Sequence, residues 1–249
     1  MLTSRILKGG ALLGESRILV ESWDHGQSVA ENLVRSAALN VFAKKSATRS
    51  KDVLAVLRQR LIEPGTHVLA ALHALVDHPR AFREACYFEA TRSDALLAAF
   101  AEQALWDSYQ AGRVGVNPDD IVKWLRDLSA KKCLPAWSDE VFTRAAQGLL
   151  ATTRDFGILR GAVRKEFAGP SLSAAGFAYV AFRLHEQGTM ARGIGASPVW
   201  HQWMLSSGDV EHLFGEVSTL GVLRRSQAGS VVRIDWELPS LFEVARAVA

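Results

Sequence analysis

Cysteine is almost absent from this sequence, because Cys86 and Cys133 are its only two. They lie far apart, and neither has a second thiol or a histidine at the spacing of metal ligands. We therefore expect no disulfide framework, no metal site and no cofactor. A reducing cytoplasm fits this cysteine usage.

Long apolar runs are also missing. The best candidates, residues 68–76 and 174–182, are about half as long as the ~20 residues that a membrane-spanning helix needs. Near the start of the sequence, Glu15 and Arg17 interrupt the apolar stretch before the core of a signal peptide could form. We expect a cytoplasmic protein without a membrane partner.

Patterns that carry chemistry are scarce. The sequence has no nucleophile elbow, catalytic dyad or zinc-hydrolase signature, so we expect neither an enzyme nor a small-molecule substrate. The glycines from Gly9 to Gly14 match the spacing of a phosphate-binding loop, but Glu15 stands where that loop requires lysine. The histidines His67, His73 and His78 do not share one helix face, and surface or core roles suit them better than metal ligation.

The net charge of the chain is small, but positive residues are concentrated near the beginning of the sequence. The chain of 249 residues carries a net charge of +3, with 49% hydrophobic and 22% charged residues, which is typical of a folded globular protein. Residues 1–62 alone contain ten lysines and arginines against five aspartates and glutamates. This region is therefore the positive end of the sequence.

Apolar residues at three- and four-residue spacing dominate the rest and predict a mainly α, globular multi-helix fold. The predicted helices span about 10–23, 28–37, 47–62, 66–77, 80–91, 94–111, 118–130, 138–155, 172–187, 198–205 and 209–220. The clearest starts are Asn117-Pro118 and Ser138-Asp139, where a capping residue precedes proline or carboxylates.

The period changes to two near the end of the chain. Residues 222–225 and 232–238, separated by a five-residue turn at 226–230, predict a β-hairpin. Three helices followed by a hairpin are the order of a winged helix. We predict a helical region over residues 1–160, which contains the basic helix-turn-helix-like segment, and a winged-helix-like region over 161–249.

The segment from 28 to 61 is the most informative for function. The buried stripe predicted for its second helix consists of Val53, Leu54, Leu57 and Leu61, and cations lie along both edges of that stripe. Such a surface can face the phosphates of nucleic acid, although a plain solvated basic surface has the same pattern. The candidate phosphate contacts are Lys44, Lys45, Arg49, Lys51, Arg58 and Arg60.

The winged-helix-like tail is the alternative nucleic-acid surface. Its hairpin carries Arg224, Arg225 and Arg233, but the preceding helix contains acidic residues, including Glu211. Because phosphates would be repelled by these carboxylates, packing or a protein partner is the preferred interpretation of the tail.

Four pieces of the sequence, in order, resemble one protein family. They are Lys8-Gly9-Gly10-Ala11-Leu12-Leu13-Gly14-Glu15, Leu39-Asn40 followed by Lys44-Lys45-Ser46, Arg58-Gln59-Arg60-Leu61, and Leu134-Pro135-Ala136-Trp137-Ser138 leading to Phe156-Gly157-Ile158-Leu159. Together they cover about residues 5 to 160. The family is BrxA, a small accessory protein of bacteriophage-exclusion (BREX) defence systems.

The resemblance implies an all-helical, non-enzymatic protein with helix-turn-helix-like elements. It also implies binding to double-stranded DNA beside the methyltransferase and ATPase components of the defence system. A protein scaffold without affinity for nucleic acid and an RNA-binding regulator remain alternatives.

Overall fold

The computed structural model describes residues 9–229 and 231–249. Most of these residues are helical, as the apolar periodicity predicts. The chain forms two compact units, each assembled from separate segments. The described part of the first unit consists of residues 9–13, Glu89–Ser171 and Pro198–Met204, and that of the second consists of Gly14–Phe88, Leu172–Ser197 and Leu205–Ala249, without residue 230.

Helices α1 to α5 come first in the sequence and belong largely to the second unit. They are α1 (Leu13–Ser22), α2 (Val29–Ala38), α3 (Ala47–Leu57) with a π-helical continuation at Arg58–Ile62, α4 (Thr66–Ala74) and α5 (Pro79–Ser93).

The middle of the chain contributes the helices and short strands of the first unit. They are α6 (Ala95–Ala99), a π-helical segment (Phe100–Leu105), α7 (Trp106–Gln110), β1 (Gly115–Val116), α8 (Pro118–Ala130), α9 (Asp139–Asp155), β2 (Leu159–Arg160), β3 (Lys165–Phe167) and a 3-10 helix (Pro198–Trp203).

The remaining elements of the second unit follow Leu172. They are α10 (Ala174–Glu186), α11 (Ala191–Gly195), α12 (Ser207–Thr219), β4 (Leu223–Ala228), β5 (Val231–Trp236) and α13 (Leu241–Val248). Apolar periodicity does not predict α11, α13 or the strands β1 to β3.

In the first unit, α8 packs against α9, and α9 packs against β2. The predicted helix starts are confirmed, because Asn117 caps α8 with proline at its first position and Ser138 caps α9. Strand β3 lies between β1 and β2, and both pairings are antiparallel. The 3-10 helix packs on the π-helical segment, where Gln202 accepts a hydrogen bond from Thr91 and donates one to Glu102.

The core of the second unit joins the beginning of the chain to its end. Helix α13 packs on α4 and on α10. The buried carboxylate of Glu84 accepts hydrogen bonds from the backbone and hydroxyl of Ser173, the residue that caps α10. A side-chain carbon at Gly176 would come within 2.3 Å of the Glu84 carboxylate, so glycine there leaves room for the contact between Glu84 and Ser173.

The tail has α10, α12 and the hairpin in the predicted order, but the helix predicted at 198–205 is the 3-10 helix Pro198–Trp203, which belongs to the first unit. Helix α10 contacts α11 and α12, and the hairpin contacts α11 through β5 and α12 through β4. The predicted five-residue turn is wrong, because the antiparallel ladder continues to the pair of Ala228 and Val231. Only positions 229 and 230 separate the strands, as in the short hairpins that favour glycine at positive φ.

Two further predictions concern boundaries and membranes. Residue 160, where the sequence analysis divides the chain, lies within the first unit, in β2. Among the residues that the structure describes, we find no helix with the length and apolar character needed to cross a membrane.

Candidate nucleic-acid interface

Helix α2 is fixed at its start by two reciprocal hydrogen bonds. The hydroxyl of Ser28 accepts from the backbone of Glu31, and the Glu31 carboxylate accepts from the backbone of Ser28 at 2.8 Å. One helical turn later, the buried Asn32 side chain pairs with the backbone of Asp24, accepting at 2.9 Å and donating at 2.8 Å. These contacts hold α2 against the turn that follows α1.

This attachment turns the apolar side of α2 outward. The buried residues of the helix, Asn32 and Ser36, are polar. Val34 and Leu39 are 69% and 68% exposed. The helix is therefore amphipathic, but within the described chain its apolar side faces the surface.

The connection between α2 and α3 is ordered by one asparagine. Asn40 has a φ of +42°, a conformation that asparagine tolerates better than most residues. Its side chain accepts from the Lys44 backbone nitrogen at 3.2 Å and donates to the Lys44 carbonyl at 3.0 Å. Ser46 then caps α3 by accepting from the backbone of Arg49.

The same connection is longer than in a DNA-binding helix-turn-helix. Residues 39–46 separate the two helices, whereas the turn of that motif has about 3–4 residues. The extra length carries Lys44 and Lys45. The length of the connection therefore does not support the helix-turn-helix-like prediction for this segment.

Three of the six predicted phosphate contacts surround one surface pocket. Lys44 and Lys45 from the connection and Lys51 from α3 line a cavity of about 320 Å³. Its other lining residues are Ala37, Asn40, Ala47, Ser50 and Leu54. Lys45 and Lys51 are exposed, and no carboxylate of the described residues forms an ion pair with either.

Lys44 differs from the other two lysines because it has an internal partner. Its Nζ lies 2.5 Å from Oε1 of Glu15 in α1, and the two side chains are only 26% and 20% exposed. Burial raises the pKa of Glu15, but the hydrogen bond from Lys44 and the positive charges of Lys44 and Arg49 outweigh it. The net effect is a pKa below the ordinary 4.5, so Glu15 is ionised at neutral pH.

The remaining predicted contacts are three arginines in or after α3. Arg49 is exposed in the first turn of α3. Arg58 is exposed and lies 3.5 Å from Glu63, a loose pair in contact with water. Arg60, in contrast, is only 4% exposed.

The prediction for Arg60 is therefore wrong as a surface contact. The helical wheel assumed 100° per residue through residue 61, but the chain adopts a π-helical turn from Arg58 to Ile62. A π-helix has more residues per turn, so positions after Leu57 rotate relative to an α-helix. This rotation buries Arg60 together with Leu61 and Ile62.

The arginines of the hairpin all have carboxylate partners. Arg224 contacts Glu237 at 2.9 Å and Arg233 contacts Asp235 at 2.7 Å. Arg225 contacts both carboxylate oxygens of Glu211, at 2.6 and 2.8 Å, and its guanidinium also lies 5.1 Å from the ring centre of Phe214. Of these partners, only Glu211 lies on the helix before the hairpin, whereas Asp235 belongs to β5 and Glu237 follows it.

Comparison with known families decides the relationship of this chain. The profile of the BrxA family matches residues 3–183, which is well over half of the 249 residues. The chain belongs to the BrxA family. This family is associated with BREX phage-defence systems. A search of the curated proteins found no match.

The matched region of this BrxA-family chain contains the lysine-lined pocket and ends within α10, before the hairpin. Two of the pieces that carry the resemblance meet in the structure, since Glu15 ends the first and Lys44 begins the lysine pair of the second. Local sequence patterns do not predict this pairing, because the two residues are 29 positions apart. The only signal was an acidic residue in a glycine-rich segment of an otherwise basic region.

Proposed function

We propose that this protein is a non-catalytic, DNA-binding accessory subunit of a BREX defence system and acts in the cytoplasm. It binds duplex DNA through the phosphates, beside the methyltransferase and ATPase components. The proposed phosphate contacts are Lys44, Lys45, Arg49, Lys51 and Arg58. Arg60 is left out because it is buried.

The observation that carries the proposal is the concentration of lysines on one concave surface. Lys44, Lys45 and Lys51 line the same pocket, and two of them have no carboxylate partner among the described residues. Lysines that line one pocket repel one another unless an anion lies between or beside them. A polyanion releases condensed counterions when such cations bind it, which favours association.

The decisive experiment measures binding of fluorescently labelled duplexes by fluorescence polarisation across a salt series. We expect affinity to fall steeply with salt, by about 0.9 in the log–log slope for each phosphate contacted, and to differ little between unrelated sequences. Unlabelled RNA of the same length serves as competitor. Stronger competition by RNA than by duplex DNA would support the RNA-binding regulator, and no binding at low salt would exclude both nucleic-acid functions.

A protein scaffold is the second candidate, and the outward apolar side of α2 favours it. Val34 and Leu39 are large apolar side chains that remain about two-thirds exposed. Single apolar residues at a surface are ordinary, but one on α2 and one at its C-terminal cap, where the helix buries polar residues, suggest a covered interface. Replacing both with serine should weaken co-purification with the other defence components and leave DNA affinity unchanged. Unchanged co-purification would count against the scaffold.

A further inference from the structure

The pocket between α2 and α3 is lined by both cationic and apolar side chains. Lys44, Lys45 and Lys51 supply the charges, and Ala37 and Leu54 belong to the apolar part of the lining. The volume of about 320 Å³ lies at the lower end of the range typical of small-ligand sites. This is an open recess with room for one small anionic group.

Charge balance within the recess is incomplete. Three lysines face it, and the carboxylate of Glu15 is the partner that the structure gives to one of them. Glu15 reaches Lys44 from α1, so the fold itself supplies one negative charge at the edge of the site. Its lowered pKa keeps that charge in place at neutral pH.

We propose that this lysine-lined pocket binds a single phosphate group and that Glu15 competes with the phosphate for Lys44. The inference rests on the proposed function in that the phosphate would be one of the DNA backbone, although free phosphate has the same chemistry. A phosphate offers several acceptor oxygens, so it can bridge lysines that one carboxylate cannot bridge, and lysine binds it as a point charge.

The proposal predicts that removal of the Glu15 charge strengthens binding. In Glu15→Gln, Lys44 is released for the phosphate, so affinity for duplex DNA should rise about three- to tenfold. The salt slope should steepen by up to about 0.9, which is one additional phosphate contact. The measurement is fluorescence polarisation with labelled duplexes, with circular dichroism as the control for folding.

Glu21→Gln is the matched control, since it removes the same charge from the same helix. Glu21 pairs with Arg17 and is exposed. It lies about 9 Å farther along the helix axis than Glu15, roughly one Debye length at physiological salt. We expect less than a twofold change for this variant. Equal gains for both variants would overturn the proposal, because the effect would then be net charge alone.

Two lysine variants complete the test. Adding Lys44→Met to Glu15→Gln should abolish the gain, since the released lysine is what produces it. Lys51→Met, an exposed substitution on α3, should weaken phosphate binding even if Glu15→Gln folds poorly. A gain that persists without Lys44, or a Lys51 variant that binds phosphate like the parent, contradicts the proposal.

A titration with inorganic phosphate at constant ionic strength distinguishes free phosphate from the DNA backbone as the ligand. Binding is followed by the NMR chemical shifts of the lysine side chains. Binding of both phosphate and DNA, strengthened in Glu15→Gln, supports the pocket and the proposed function together. Binding of phosphate without DNA supports the pocket and contradicts the DNA function. A Glu15→Gln gain for DNA alone assigns the site to the polymer backbone. No difference between Glu15→Gln and Glu21→Gln in either arm overturns the pocket proposal.

Discussion

The basic segment from α2 to α3 and the hairpin of the tail both carry several cations, but they differ in what surrounds those cations. Each hairpin arginine contacts a carboxylate of the tail. In the basic segment, Lys45 and Lys51 have no such partner among the described residues. A count of positive residues therefore does not rank two surfaces for polyanion binding, because the local counter-ions decide how much charge is available.

The strength of these pairs sharpens the difference. The pairs of Arg224 and Arg233 are exposed, and an exposed ion pair contributes about 0–1 kcal/mol, so a phosphate could displace either partner. The displaced carboxylate would remain near the phosphate and repel it, however. Binding of a phosphate at the hairpin is therefore weakened by two costs: an ion pair must break, and the released carboxylate repels the phosphate.

The largest expected effect is on the salt dependence of DNA binding. Replacing Lys45, Arg49 and Lys51 together with alanine should flatten the log–log slope by roughly 2 to 3, since each is a proposed phosphate contact. Alanine at Arg224, Arg225 and Arg233 is the matched triple variant and should flatten it by less than about 1. Fluorescence polarisation measures both. An unchanged slope for the folded first triple would move the binding surface elsewhere.

The comparison can also be reversed. If local carboxylates keep the hairpin arginines from contacting phosphates, neutralising those carboxylates should increase DNA binding. The combined variant Glu211→Gln, Asp235→Asn and Glu237→Gln should therefore steepen the salt slope by about 1. The same three changes in the protein that lacks the hairpin arginines form the control, and there the gain should vanish. A gain that survives in the control would mean that the carboxylates act by general repulsion alone.

Substitutions at Arg58 and Arg60 test whether the π-helical turn leaves the first arginine exposed and buries the second. Arg60→Met should lower the free energy of unfolding by about 1–3 kcal/mol, because it removes a buried polar group from contacts inside the protein. It should leave the salt slope unchanged. Arg58→Met should flatten the slope by about 0.9 and change stability by no more than about 0.5 kcal/mol. Urea unfolding and polarisation together distinguish the two, and the opposite pattern would restore Arg60 as a surface contact.

Two helix-cap variants are expected to lose the same stability but to differ in DNA binding. Ser46 caps α3 and Ser138 caps α9, and in each case the serine hydroxyl oxygen accepts one hydrogen bond from a backbone N–H. Alanine at either should cost about 1 kcal/mol in urea unfolding. Only Ser46→Ala should weaken DNA binding, since α3 positions the pocket. Loss of DNA binding in Ser138→Ala without loss of stability would show that the binding surface is assigned wrongly.

The smallest expected effect is on acid stability. The hydrogen bonds from Ser28 and from Ser206 lower the pKa of Glu31 and of Asp209, respectively, below 4.5 and 3.8. A carboxyl whose pKa is lower in the folded state stabilises the protein above its ordinary pKa and loses that contribution as pH falls through the folded value. Glu31→Gln and Asp209→Asn should thus lower thermal stability slightly at pH 7 and not at pH 2. An equal loss at both pH values would point to geometry rather than ionisation.

Local signals explain most of what the sequence could predict. The starts of α8 and α9 followed from capping residues, and the hairpin followed from the alternation of apolar and polar residues. These signals act within a few residues. The strands β1 to β3 were missed because two or three residues are too few to show a period.

The site was predictable only in part for the same reason. Lys44, Lys45 and Lys51 could be grouped because they are close in sequence. The burial of Arg60 depends on a π-helical turn, and the partner of Lys44 comes from a helix 29 residues earlier. Neither follows from spacing on an ideal helix.

The packing of α13 on α4 has a consequence for the way in which the protein is made. The unit that holds the lysine-lined pocket is completed by residues 241–248, which contact a helix at 66–74. A ribosome adds about 5–20 residues per second, so roughly ten to thirty seconds separate the synthesis of these two helices. During that interval α13 is not yet available to pack on α4, so the unit that contains the pocket is still incomplete. The nascent chain should therefore acquire its mature basic surface only after the hairpin and α13 have left the ribosome.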